Sequence, residues 1–350
     1  MTSLQTETTK ARWVSRLPGA LVQLPWFGPL CALLLIVVAI SMVSPGFLNL
    51  RVVDGHLYGS LVDVVHRGAS AALVAVGMAI VIGTRGIDLS VGSVIAISGA
   101  VMAVLIRDTE LPPGVIVLAA LGTGLLCGLW NGLLIAYLDI QPIIATLILM
   151  VTGRGIAQMI TGGQILTFHG EFFEAIGSGY LFGIPWRVLI AAAVIMLLWF
   201  AMRKTALGLF VESVGANARA SRLAGIDARG IKVLAYMISG LCSAVAGIII
   251  AADIRGADAN NAGLWLELDA ILAVVLGGAA LLGGRFYLGA TVIGVLIIQS
   301  LTTGILLSGL PSQYTLVVKA AVVLIVLLMQ VPGFRQGLLH LVQRKKHENQ

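Results

Sequence analysis

The sequence predicts an all-α, polytopic membrane protein of about ten transmembrane helices, with both termini in the cytoplasm. Three observations carry this reading. The 350 residues have a mean hydropathy of +1.02, with 59% hydrophobic and 11% charged side chains, too little polar surface to cover a water-soluble globule of this size. Apolar runs of about 20 residues, the length that crosses a hydrocarbon core as a helix, recur along the chain. Glycine supplies 42 residues, an excess that suits helices approaching closely in lipid. A formal charge of +6 would also suit a nucleic-acid binder, but the basic residues sit at segment ends and not on one face.

The elements follow in order. An N-terminal tail, 1–25, carries Lys10, Arg12 and Arg16 and leads into a first span at 26–43, longer than the apolar core of a signal peptide and therefore retained. The second span, 60–82, contains Asp63, His66 and Arg67 near its start. The third lies at 89–106 and the fourth at 114–138, where Gly124, Gly128 and Gly132 recur every four residues, the spacing of a packing seam. Spans at 142–160, 187–202 and 230–252 come next. The eighth, 267–283, is broken by glycines; the ninth is 287–308 and the tenth 313–330. Residues 26–330 thus form one transmembrane domain, and the tail 331–350 is a basic end at the inner membrane surface.

Lys and Arg accumulate in loops that stay in the cytoplasm. With both ends inside, Lys10, Arg12, Arg16, Arg85, Arg203, Lys204, Arg219, Arg222, Arg229, Lys232, Arg285, Arg335, Arg344, Lys345 and Lys346 are cytoplasmic. The other face receives only Arg51, Arg107, Arg187 and Arg255. That imbalance sets the orientation.

Cys31, Cys127 and Cys242 lie in apolar stretches without a CxxC pair, so neither a disulfide framework nor a metal site is expected. The chain has no GxxxxGK[ST] phosphate loop, no HExxH and no GxSxG, the parts an ATPase or an intramembrane hydrolase would need. A non-enzymatic chain with no cofactor of its own is expected.

The polar interruptions are then the informative features. In the loop 203–232, "VGANARASRLAGI" (214–226) puts Arg219 and Arg222 three apart, on one helical face, with Ala220 and Leu223 on another. Gly215 and Gly225 bracket the stretch as helix stops would. It is either a solvated connector or a docking helix that transmits movement from a soluble partner. "GTRGIDLSVGS" (83–93) is either a tight turn in which Asp88 or Ser90 caps the third helix, or a broken helix lining a solute path, with Arg85 and Asp88 paired or facing water. Asn131, deep in the fourth span, is either helix-to-helix glue or a solute contact. Thr146, Arg154 and Gln158 extend the polar inventory along the fifth span. Trp265, Glu267 and Asp269 open the eighth span near the outer surface, as interface anchors or as a contact to a soluble binding protein or to the outer mouth. Lys319, about 9 Å inside the last span, snorkels to the interface.

Several stretches resemble the membrane permeases of ABC sugar importers, the ribose-type branch: "GIDLSVGSV" (86–94), "GLWNGLLIA" (128–136), "QPIIATLILM" (141–150), "GRGIAQMITGGQ" (153–164), "GANARASRLAGI" (215–226), "ISGLCSAVAGII" (238–249) and "LELDAILAVVLGG" (266–278) followed by "GGR" (283–285). The resemblance implies the ABC importer permease fold in a bacterial inner membrane. It implies partners: an ATPase subunit holding ATP and Mg, a periplasmic sugar-binding protein, and a second permease chain, identical or paralogous. It makes the loop after the sixth span a coupling helix built on Gly215, Asn217, Arg219, Ala220, Arg222, Leu223 and Gly225, with Arg219 where importer permeases of the wider class carry a glutamate. For a sugar, which offers hydroxyls and no charge, Asp88, Ser90, Asn131, Thr146, Arg154 and Gln158 are the candidate residues of the translocation path, and "GGRFYLGA" inclines the likeness toward galactofuranose permeases. Two rival readings stand beside it: a proton-driven carrier using Asp63, His66, Arg67 and Asp88, and an ABC permease for branched-chain amino acids.

Overall fold

A computed structural model describes residues 26–53, 56–309 and 314–330. The two tails, with Lys10, Arg12, Arg16, Arg335, Arg344, Lys345 and Lys346, lie outside the described residues. Twelve helices are described: α1 Phe27–Val43, α2 Ser60–Gly83, α3 Val91–Asp108, α4 Pro113–Ala136, α5 Pro142–Thr161, α6 Glu171–Ser178, α7 Trp186–Lys204, α8 Leu207–Leu223, α9 Ala228–Asp253, α10 Leu266–Leu276, α11 Leu288–Leu307 and α12 Thr315–Gln330. Seven of them, α2, α3, α4, α5, α7, α9 and α11, are long and apolar enough to cross a membrane. Helices α1 and α12, of 17 and 16 residues, are shorter.

The expected eighth span is corrected. Helix α10 ends at Leu276 after 11 residues, about 17 Å, and the chain from Gly277 to Tyr287 is irregular, with Gly278, Gly283 and Gly284 at positive φ. A second element was not expected from the sequence: helix α6, in the connection between α5 and α7.

Helix α2 forms the centre of the bundle. Its segment Gly68–Gly83 is buried on every side, as a helix apolar all round must be. Alanines and glycines keep it thin, so α7, α9, α10 and α11 all pack against it. Asp63, His66 and Arg67 occupy only its first two turns, where Asp63 and Arg67 are exposed, and do not interrupt it.

The glycine seam on α4 is observed. Gly124 abuts the Gly240 carbonyl, Gly128 the Tyr236 carbonyl and Gly132 the Val233 backbone, so α4 and α9 run antiparallel with their backbones in contact. A side chain at Gly124 or Gly128 would overlap backbone. At the bundle end away from α8, Arg187 at the start of α7 donates to the Gly177 carbonyl (2.8 Å) and to Asp253 (2.5 Å) at the end of α9. In the same region β1 (Leu166–Thr167) pairs antiparallel with β2 (Gly256–Ala257).

Candidate functional site: a capped surface helix and a buried polar joint

Helix α8 is two helices. At Asn217 the backbone is extended (φ −158°, ψ 96°), and the Asn217 Oδ1 accepts from the amides of Arg219 (3.1 Å) and Ala220 (3.0 Å). An asparagine in extended conformation, bonded to amides two and three residues on, is a helix N-cap. The second helix therefore starts after Asn217. It stops at Gly225, whose φ of +85° suits a residue without Cβ, with Ile226 N donating to the Ser221 carbonyl (3.0 Å). Asp227 then caps α9, accepting from Arg229 N and Gly230 N. The surface segment expected from the sequence is present, but its brackets are Asn217 and Gly225. Arg219, Ala220 and Arg222 are exposed, and Leu223 is 86% exposed, an apolar side chain standing out at the tip.

Gly215 is not a helix stop. It is buried in the first half of α8, where a methyl group would overlap the Gly83 carbonyl oxygen and sit 2.7 Å from the Gly284 amide. Gly284 N in turn donates to the Gly83 carbonyl (3.1 Å). Three chain segments meet here through backbone alone: the end of α2, the α10–α11 connection and α8. The two glycine-bearing turns at 83–93 and 277–287 are thus brought together beneath α8.

Beyond Gly83 the chain turns at Arg85 (φ +69°) and runs back into the bundle. Asp88, 1% exposed, is held by three donors: Ser90 N (3.1 Å) and Ser90 Oγ (2.6 Å) on Oδ1, and Ser239 Oγ from α9 (2.8 Å) on Oδ2. The Ile87 carbonyl accepts from the Tyr236 hydroxyl (3.2 Å), also on α9. Asn131 Nδ2 on α4 donates to Ser90 Oγ (2.9 Å), and Ser93 Oγ reaches the Leu149 carbonyl of α5 (3.0 Å). Ser239 lies 11 residues into α9, about 17 Å along it, so this network sits well inside the bundle. A carboxylate at that depth is tolerated because donors replace its lost hydration.

These contacts decide several open readings. Asp88 pairs with hydroxyls and not with Arg85, which is exposed. Asn131 joins helices, yet its Oδ1 is buried with no partner among the described residues. Asp88, Ser90, Asn131 and Thr146 are all buried in this conformation and form a joint between α3, α4, α5 and α9. Arg154 and Gln158 lie apart from it, clasping the 258–262 segment: Arg154 Nη1 donates to the carbonyls of Ala259 (3.0 Å) and Ala262 (2.6 Å), and Gln158 to Asn260 (2.7 Å).

The group read as an outer-surface cluster divides. Trp265 is exposed. Glu267 is 6% exposed, with Oε2 unpartnered among the described residues and packed where a Cβ on Gly92 would stand, at the start of α3. Its carboxylate is covered in this conformation. Asp269 accepts from Lys319 of α12 (2.9 and 3.1 Å), so Lys319, 9% exposed, is an interhelical ion partner and does not snorkel.

Residues 60–327 match the family described as the branched-chain amino acid transport system / permease component. Among curated proteins, the chain is 56% identical over 306 residues to the galactofuranose transporter permease protein YtfT of Escherichia coli (strain K12), covering 87% of this chain and 89% of that one. It is 38% identical over 307 residues to the fructose import permease protein FruF of Bifidobacterium longum (strain NCC 2705), covering 86% of each. Over 304 residues it is 38% identical to the ribose import permease protein RbsC of Escherichia coli (strain K12), covering 86% of this chain and 92% of that one.

Proposed function

Because the chain belongs to this family of ABC permease components, its members at 38–56% identity being sugar import permeases, we propose that it carries galactofuranose across the bacterial inner membrane. It is the multi-pass transport subunit of an ABC sugar importer. The observation that carries the choice of sugar is the 56% identity to a galactofuranose permease across 87% of the chain, against 38% for the fructose and ribose permeases. The sugar relatives also favour this reading over amino acid transport, despite the wording of the family description. A proton-driven carrier is disfavoured by the separation of its relay candidates: Gly77, which packs against Ser239 beside the Asp88 joint, is 10 residues beyond Arg67, and these about 15 Å of α2 are buried and carry no ionisable side chain.

In this reading both tails and α8 face the cytoplasm, supported by the bias of Lys and Arg to that side. ATP and Mg are bound by a separate ATPase subunit, a periplasmic binding protein delivers sugar, and a second permease chain completes the pore. The Asn217-capped helix is the docking point: an exposed Leu223 flanked by Arg219 and Arg222 offers an apolar anchor with charges around it, the composition of an interface and not of a solvated turn. Movement of that helix reaches the Gly215–Gly83–Gly284 contact without a flexible side chain between, and from there the turn that leads to Asp88. Opening of the joint around Asp88, Ser90, Asn131 and Thr146 then alternates access, while Arg154 and Gln158 hold the segment that closes it from the other side.

The test is uptake into proteoliposomes holding this chain with its ATPase and binding protein. Labelled galactofuranose should accumulate only with ATP, and ribose and fructose should compete weakly. Equal uptake of ribose would overturn the assignment of the sugar.

A further inference from the structure

Away from the joint, a groove of about 510 Å³ lies at the α8 end of the bundle, between the starts of α1, α8 and α11 and the end of α7. Trp26, Trp199, Arg203, Thr205, Glu212 and Tyr287 supply its aromatic and polar wall. It shares Trp199, Leu288 and Gly289 with a second crevice of about 440 Å³ between α2, α7 and α11. That crevice is walled almost wholly by hydrocarbon and floored by small residues, among them Ala69, Ala72 and Ala192. The site is open above its floor: a Cβ on Gly289 would meet no atom within 4 Å.

Read along α7, the wall changes character in the order a membrane leaflet does. Arg203 stands at the helix end, Trp199 one turn deeper, and the apolar residues from Met196 to Val188 beyond it. Trp199 to Val188 spans about 17 Å of the 19-residue helix, long enough for an acyl chain lying along it. Tryptophan belongs at the boundary between polar and apolar regions. At the polar end, neither Arg203 nor Glu212 forms an ion pair among the described residues, so the groove presents one free cation and one free anion.

We infer that this continuous groove is a binding site for one phospholipid with a phosphoethanolamine headgroup. Arg203 meets the phosphate, Glu212 the ammonium, and one acyl chain lies in the crevice between α2, α7 and α11. The pair of opposite charges selects a zwitterion over an anionic lipid, because Glu212 repels a headgroup carrying only negative charge. The site is independent of which sugar the protein carries.

The test purifies the full chain in mild detergent from membranes containing phosphatidylethanolamine and phosphatidylglycerol, washes it, and quantifies retained lipid by mass spectrometry. Wild type should retain one phosphatidylethanolamine per chain. Filling the crevice with Gly289→Phe and Ala192→Phe should lower retention about tenfold. Glu212→Arg leaves the crevice intact and should shift the retained lipid toward phosphatidylglycerol, roughly tenfold in ratio. Equal retention by wild type and a folded crevice-filled variant would overturn the site. An unchanged lipid ratio in Glu212→Arg would overturn the headgroup assignment, and crosslinking of Trp199→Cys chains to one another in place of lipid retention would make the groove an interface between copies.

Discussion

Ser239 on α9 donates a 2.8 Å hydrogen bond to Asp88, 151 residues earlier in the chain, and so fastens the turn before α3 to the middle of another helix. Both groups are fully enclosed. Ser239→Ala leaves one carboxylate oxygen buried without its donor, a loss of about 1–3 kcal/mol. The expected outcome is a lowered midpoint in thermal unfolding of the detergent-solubilised protein. An unchanged midpoint would mean that water reaches Asp88.

Gly215→Ala places a methyl group on the Gly83 carbonyl, where only backbone can yield. Because Gly215 is remote from the exposed tip at Leu223, the ATPase should still co-purify with the variant. Sugar moved per ATP hydrolysed should fall severalfold, read by parallel uptake and phosphate-release assays. A wild-type ratio would remove the Gly215–Gly83 contact from the coupling route.

Asn217→Ala removes both cap bonds and should destabilise the second half of α8 by about 1 kcal/mol. Asn217→Asp or Asn217→Ser restores an acceptor and should recover most of it. Amide hydrogen exchange at 218–223 reads the difference directly: faster in the alanine variant, near wild type in the other two.

The Lys319–Asp269 pair ties α12 to α10 with both side chains largely shielded. Lys319→Met should cost about 3 kcal/mol by leaving the carboxylate unpaired, whereas Lys319→Met with Asp269→Leu should return near wild-type stability. Equal losses for the single and double variants would show that the pair is not the source of the effect.

Much of this architecture is legible in local pattern. The four-residue spacing of Gly124, Gly128 and Gly132 marks one helical face, and that face is the α4–α9 seam. The apolar runs mark helices because length and hydropathy are local properties. What escapes is set by distant partners. Lys319 reads as a snorkelling cation because Asp269 is 50 residues away, and Glu267 reads as a surface anchor because the α3 start that covers it is remote in sequence. The 267–283 run reads as one span because hydropathy is blind to the backbone freedom of Gly277, Gly278, Gly283 and Gly284, which lets the helix end early. Within 214–226 the glycine pattern points to Gly215, whereas the start of the helix is made by the Asn217 side chain; an asparagine just ahead of a helical run is the local cue.

The central claim is that the Asn217-capped helix is the handle the ATPase grips, and Leu223 at its tip tests it most directly. In a Cys31→Ser background, Leu223→Cys carrying a photoactivated crosslinker should capture the ATPase subunit in the assembled importer, and Arg219→Glu with Arg222→Glu should abolish that product while membrane insertion persists. Capture of the periplasmic binding protein instead, or labelling of Leu223→Cys only from the outer face of the membrane, would contradict it.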